Sequence, residues 1–86
     1  MYCVYVLKSE KDKRLYIGVT NDLKRRLSEH NAGDTKSTKH RGPFALVYCE
    51  VYRSKSDALI RERKLKQFKN SYKELVKRIK SSLELT

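Results

Sequence analysis

The sequence predicts a small α+β fold with the element order ββαβαα. Two observations carry that reading. Three short runs are rich in β-branched and aromatic residues, and the stretches between and after them have apolar residues at helical period. A third observation, the brevity of the link between the first two runs, makes them antiparallel neighbours. The expected architecture is a three-stranded, antiparallel-rich sheet flanked by helices. At 86 residues there is room for one domain. It is expected to span 1–86, with its core at about 2–80 and a C-terminal tail that frays.

Residues 2–8 alternate aromatic and aliphatic side chains and read as a strand. Ser9 to Lys13 are polar and read as a turn, and residues 14–19 as the second strand of a hairpin. Thr20, Asn21 and Asp22 supply N-cap candidates for a helix over about 22–31, with Gly33 closing it. Residues 34–43 are polar and without period, as expected of a mobile basic loop. Phe44 to Tyr52 form the third strand. Ser54 and Ser56 open a second helix that ends near Phe68 or Lys69. Asn70 and Ser71 break the run, and Ser71 with Glu74 forms a capping-box pattern for a third helix. That helix carries Tyr72, Leu75, Val76, Ile79 and Leu83 as its apolar stripe.

Composition narrows the function classes. With 38% hydrophobic and 36% charged residues the chain is too apolar for disorder and too polar for a membrane protein. No apolar run approaches the ~20 residues a bilayer span requires. The first seven residues lack the basic flank and cleavage site of a signal peptide, so a cytoplasmic protein is expected. Cys3 and Cys49 lie in strand-like runs with no CxxC or His pair nearby. They read as two buried reduced thiols rather than as zinc ligands. The net charge of +11 favours a polyanionic partner, with nucleic acid first and an acidic membrane surface behind it. Between Arg61 and Lys80 there are nine Lys or Arg and two Glu. Lys69 and Lys73 on that stretch, Arg25 on the first helix, and Lys36, Lys39 and Arg41 in the loop are candidate phosphate contacts. A charge run alone is usually a solvated face.

Its weight comes from polar residues placed where apolar ones belong. Leu23 and Leu27 lie one turn apart on the first helix, and His30 falls in nearly the same row with Arg26 four residues before it. Both either face the strands or snorkel to the helix edge. On the second helix Ala58, Leu59, Leu65 and Phe68 mark the side expected to be buried, and Glu62 projects among them. A carboxylate in an apolar stripe is costly unless it is paired or holds a metal. Arg26 is the structural partner to consider and a divalent cation the functional one. A Mg²⁺ site needs only one or two carboxylates, because water and phosphate complete it. Gly18 in the second strand lets a phosphate approach the backbone closely, or marks a plain bulge.

Cys3-Val4-Tyr5 and Tyr16-Ile17-Gly18, followed by Arg26 and His30 on the first helix and Ala58-Leu59-Ile60-Arg61-Glu62 on the second, resemble in order and spacing the motifs of the GIY-YIG nuclease superfamily. The resemblance runs from residue 2 to about 80 and is nearest to small stand-alone members. Cys3 stands where the first motif usually has Gly. Val19 stands where the excision-repair nuclease subunit carries a Lys thought to help the base. Asn70 matches the later Asn of the family.

The resemblance implies a metal-dependent endonuclease with weak or structure-based specificity, acting on DNA rather than RNA in repair or processing. Its implied products carry 5′-phosphate and 3′-hydroxyl ends. Glu62 would hold Mg²⁺ or Mn²⁺, Tyr16 would orient and deprotonate the attacking water, and Tyr5 would position water or phosphate. Arg26 would clamp the phosphate, which suits its bidentate fork, and His30 would hydrogen-bond the phosphate or a phenol. The alternatives are a non-catalytic nucleic-acid-binding module on the same fold, and a basic RNA-associated or membrane-surface protein with no site. A domain this small carries little sequence readout, which leaves targeting to a partner protein.

Overall fold

The structure, a computed structural model, describes residues 1–85. The chain runs β1 (Tyr2–Ser9), β2 (Leu15–Thr20), α1 (Leu23–Asn31), β3 (Phe44–Tyr52), α2 (Lys55–Gln67), α3 (Lys69–Arg78) and α4 (Lys80–Glu84). The strands form one antiparallel sheet in the order β2-β1-β3. The predicted fold class and element order stand, with one short helix added.

The central strand explains the layering. β1 has neighbours on both edges and helices on both faces, so Val4, Tyr5, Val6 and Leu7 are all buried. Val4 and Val6 join Ile17 on one face, where Ala58 and Leu65 of α2 and Leu75 of α3 close the larger core. Tyr5 and Leu7 point to the other face, where Phe44, Leu23 and Leu27 pack on them. The register shifts between Val6 and Leu7, so that Leu7 pairs with Leu46 and Val6 with Tyr48.

The ends of the elements show what the sequence left undecided. Asp22 caps α1, its side chain accepting from the Arg25 N–H, and Gly33 follows the helix at φ 79° as its left-handed closure. The β1–β2 turn is organised by Ser9, whose hydroxyl accepts from the N–H groups of Lys11 and Asp12 at 3.1 Å each. Ser54 caps α2. Asn70 and Ser71 do not break the next helix but lie in its first turn. The break is at Phe68, which is extended at φ −109°, ψ 111° and serves as the end of α2 and the start of α3 with no side-chain cap. The expected capping box at Ser71 and Glu74 is therefore not formed. A second break at Ile79 divides the third helix, and its Leu83 still packs on the core from α4. The C-terminal stretch is helical to Glu84, and the Lys8 ammonium donates to the Leu83 carbonyl at 2.9 Å.

Four further expectations are corrected. Residues 34–43 are compact turns rather than a free loop: the Asn31 side chain both donates to and accepts from the Phe44 backbone, and Ser9 Oγ donates to the Arg41 carbonyl. Cys3 is half-buried and Cys49 exposed, since α1, at nine residues, does not extend over the whole of the sheet face they share with Tyr5. Leu59 and Phe68 are exposed, not core residues. Gly18 is buried opposite Tyr5, and the Tyr5 ring lies across it where a side chain would otherwise stand. Its missing Cβ makes room for a phenol, not for a phosphate.

A polar cluster not foreseen from the sequence joins β3 to α2. Glu50 accepts from the Tyr48 and Tyr52 hydroxyls at 2.7 and 2.5 Å and from both Nε and a terminal nitrogen of Arg61 at 3.0 and 2.9 Å. Burial alone would raise the Glu50 carboxyl, but Arg61 and the two phenols outweigh it and hold it below its ordinary value. Every partner is satisfied, as a half-buried carboxylate requires.

Gly18→Ala is expected to destabilise the fold by about 2 kcal/mol, because the added methyl collides with a ring that is itself hydrogen-bonded. Urea unfolding of the two proteins checks this; equal midpoints would mean that the ring yields freely.

Candidate active site

Helical spacing and strand alternation bring the sequence-predicted residues to one region. Tyr5 and Tyr16 share the sheet face that α1 covers, with ring centroids 6.4 Å apart. His30, in the last turn of α1, enters between them: its ring meets Tyr16 edge-on at 4.9 Å and lies 5.8 Å from Tyr5. His30 is 1% exposed and faces the strands, so the snorkelling alternative fails for it.

Both imidazole nitrogens are engaged. Nε2 bonds the Tyr5 hydroxyl at 2.9 Å, and Nδ1 bonds Thr38 Oγ1 at 2.7 Å. Thr38 was not predicted, and no sequence pattern marks it. It is fully buried because the turns at 34–43 carry it over the end of α1. Burial first, and then the nearby Arg26 charge, hold His30 below its usual value, so the ring is neutral at neutral pH. A neutral imidazole has one N–H, so one neighbour donates to it and the other accepts from it. Arg26, a donor only, lies beside the Tyr5 hydroxyl. That favours Tyr5 accepting from Arg26 and donating to Nε2, with Nδ1–H donating to Thr38. Burial pushes the Tyr5 phenol up, against the pull of Arg26, so Tyr5 also stays neutral.

Tyr16 is the accessible phenol. It is half-buried, and its hydroxyl accepts from Ser37 Oγ at 3.4 Å. Arg26 pairs with Glu29 at 2.9 Å, not with Glu62. Glu62 comes from the opposite helix. α2 packs on the other sheet face. The Glu62 carboxylate pairs with Lys66 at 3.1 Å, and the Lys66 ammonium sits 5.9 Å from the Tyr16 ring centroid. The Glu62 charge also reaches the Tyr5 hydroxyl and helps to raise it. Glu62 is thus half-buried rather than enclosed by Ala58, Leu59 and Leu65.

An open groove of about 570 Å³ crosses the end of β2 between the two helices. Val19, Thr20, Arg25, Arg26, Lys55 and Leu59 line it. The Arg26 guanidinium and its partner Glu29 both line it, and Leu59 lies one turn before Glu62 on α2. A hard divalent ion suits this donor set: one carboxylate, no thiol beside it, and space for water and phosphate to complete the shell. No group of three or more His, Cys, Asp or Glu that could hold a metal forms among the described residues.

The candidate phosphate contacts divide. Arg25, Lys36, Lys39, Lys69, Asn70 and Lys73 are exposed. Arg41 is not available in the same way: its guanidinium pairs with Asp12 at 2.8 Å and lies over the Phe44 ring, so it holds the turns at 34–43 to the hairpin.

The family model described as GIY-YIG catalytic domain matches residues 1–79. The chain belongs to the GIY-YIG family. It is 44% identical over 75 residues to a UPF0213 protein of Halobacterium salinarum, covering 86% of this chain and 96% of that one. A UPF0213 protein of Staphylococcus haemolyticus is 45% identical over 71 residues, covering 81% and 85%. The solution NMR structure of the UPF0213 protein BH0048 from Bacillus halodurans superposes with a TM-score of 0.57 at 35% identity, over 90% of this chain and 84% of that one. Membership of this nuclease superfamily supports a nuclease-type function and nucleic-acid binding for this GIY-YIG chain. No helix among the described residues is long and apolar enough to cross a membrane.

Two measurements check the buried chain of bonds. Thr38→Val leaves a buried imidazole nitrogen without a partner and is expected to lose about 1–3 kcal/mol, with Thr38→Ser retaining most of the stability; chemical denaturation reads both. His30 has a folded-state value below its unfolded value, so its contribution is complete above the unfolded pKa of ~6.5. It is lost as pH falls below that value and the unfolded chain takes up the proton first. Thermal midpoints between neutral pH and ~5 should fall more steeply for wild type than for His30→Gln; parallel slopes would refute the assignment.

Proposed function

We propose that this chain is a metal-dependent endonuclease that hydrolyses nucleic-acid phosphodiester bonds, DNA in preference to RNA, with weak or structure-based specificity. The observation that supports it best is the approach of Glu62 and Arg26 from opposite helices to one side of the sheet, beside two phenols and a groove on a chain of charge +11.

Each residue has a role its surroundings suit. The Arg26 fork takes two phosphate oxygens when the scissile phosphate replaces Glu29 as its partner. Tyr5 and His30 are bonded to each other and to Thr38, so they hold Arg26 and the phosphate in place rather than exchange protons with solvent. Tyr16 is open to water and would orient the attacking water and take its proton. Glu62 would hold Mg²⁺ or Mn²⁺, which when bound neutralises charge developing on the phosphate and the leaving oxygen. Arg25 and Lys55 beside the groove, with Lys36, Lys39, Lys69 and Lys73 farther out, would track the backbone. Asn70, at the start of α3, would contact the same strand. The reading takes residues 1–86 as one domain in the cytoplasm, serving DNA repair or processing with a partner protein for targeting.

One observation favours a second reading, a non-catalytic binding module. Lys66 neutralises Glu62 as the site stands. The two readings part on turnover. With Mg²⁺ or Mn²⁺ and a panel of single-stranded, nicked, flap and branched substrates, the wild type is expected to cut. Glu62→Ala and Arg26→Ala should each lose about 10²-fold or more in rate, Glu62→Ala while retaining binding and Arg26→Ala with weakened binding. Binding with no cleavage of any substrate selects the module instead.

A further inference from the structure

Phe68 is the one aromatic side chain among the large exposed hydrophobic residues, and it is 56% exposed. Its exposure is built into the backbone. α2 stops there: the Phe68 N–H still donates to the Lys64 carbonyl at 2.9 Å, while its own carbonyl accepts from the Tyr72 N–H at 3.2 Å to begin α3. The extended dihedrals at this single residue turn the ring out of the apolar stripe that sequence period assigns it to. The ring's neighbours combine apolar residues on one side with Lys64, Lys66 and Lys69 around it.

Depressions lie on both sides of the ring. One, of about 510 Å³, is lined by Ile17, Leu65, Lys66, Lys69 and Tyr72. The other, of about 470 Å³, is lined by Lys64, Lys69, Asn70 and Ser71. No carboxylate forms an ion pair with Lys64 or Lys69 among the described residues. Lys66 ties this surface to the candidate active site, since its ammonium lies between Glu62 and the Tyr16 ring.

We infer that Phe68 and its lysines form a stacking platform for an unpaired nucleobase next to the bond held at the active site, and that the substrate class is single-stranded or flap-bearing nucleic acid. A base face stacks on an aromatic ring whatever its sequence, while flanking ammonium groups hold the phosphates on either side. Bases inside a duplex are already stacked on each other and cannot use the ring. A strand leaving Tyr16 meets Lys66 first and Phe68 next. The charge complementarity selects a polyanion as the occupant. A second copy of a chain bearing +11 is repelled from the same surface.

The substrate route rests on the proposed nuclease reading, but the platform itself does not, so its test is binding without metal. A short single strand carrying a fluorescent purine analogue, and the same sequence as a blunt duplex, are titrated with wild type, Phe68→Ala, Phe68→Tyr and Glu62→Ala in chelator. Phe68→Ala should weaken the single strand about tenfold and the duplex less than about twofold, and should remove the stacking quench. Phe68→Tyr should bind and quench as wild type does. Glu62→Ala should quench fully, even if cleavage proves absent altogether. Equal loss on both substrates, no loss on either, or a ring that changes only self-association in sedimentation would each overturn the platform.

Discussion

Burying one phenol imposes conditions on three separate parts of the chain. Tyr5 sits on the central strand with its hydroxyl out of water, so that hydroxyl needs a partner. The partner is His30, which must then stand on the sheet-facing row of α1, in line with Leu23 and Leu27. The ring needs floor space, which Gly18 supplies by having no side chain. His30 in turn needs its other nitrogen satisfied, and Thr38 does this only if the turns at 34–43 fold back over α1. The hairpin, the helix and the following turns are thus positioned by a single run of hydrogen bonds. Arg26, one helical turn from His30, inherits its place from that run.

How much of this was legible depends on whether period or contact carries the signal. Strand alternation and helix spacing are local, so the three strands and the first helix could be read from the residues, while spacing left open whether His30 faces the strands or the helix edge, and its bonds to Tyr5 and Thr38 decide for the strands. Where a long-range contact decides, the reading failed. Gly18 looked like open backbone because nothing nearby in sequence announces that Tyr5 will lie on it. Thr38 sat in an aperiodic polar stretch whose order comes from the Ser9, Asn31 and Asp12 contacts, all distant in sequence. The end of the second helix near Phe68 was read correctly, but the start of the third was not: Asn70 and Ser71 looked like a break by composition, whereas the chain breaks only at Phe68, two and three residues earlier, a residue with no breaking propensity of its own. Packing of α2 and α3 on the sheet sets that angle, and Phe68 takes the extended conformation that allows it.

Glu62 is an intermediate case. Its place in an apolar stripe correctly marked it as unusual, yet the stripe reading put it in the core. The structure has it half-buried and paired with Lys66, whose ammonium lies near the Tyr16 ring. That position matters for chemistry. A carboxylate enclosed beneath the sheet could not share a cation with a phosphate, whereas this one is partly open to solvent and close enough to act on the Tyr5 hydroxyl that Arg26 also reaches.

The charges are sorted by side-chain type. Asp12, Glu29 and Glu50 hold Arg41, Arg26 and Arg61, and Glu62 holds Lys66. Arginine forks are fixed against carboxylates that organise the fold, while many lysines project from α2, α3 and the turns. The two pairs at the site, Arg26–Glu29 and Glu62–Lys66, are short-range helical pairs at partly exposed positions. Such pairs contribute roughly 0.3–0.5 kcal/mol each, whereas a charge-assisted bond to phosphate is several times stronger. The pairs therefore hold the side chains in register without binding them tightly. On the proposed reading, a phosphodiester would displace Glu29 from Arg26 at little cost, and Glu62, if it held a divalent ion, would release Lys66, whose ammonium near the Tyr16 ring would then be free for the polyanion.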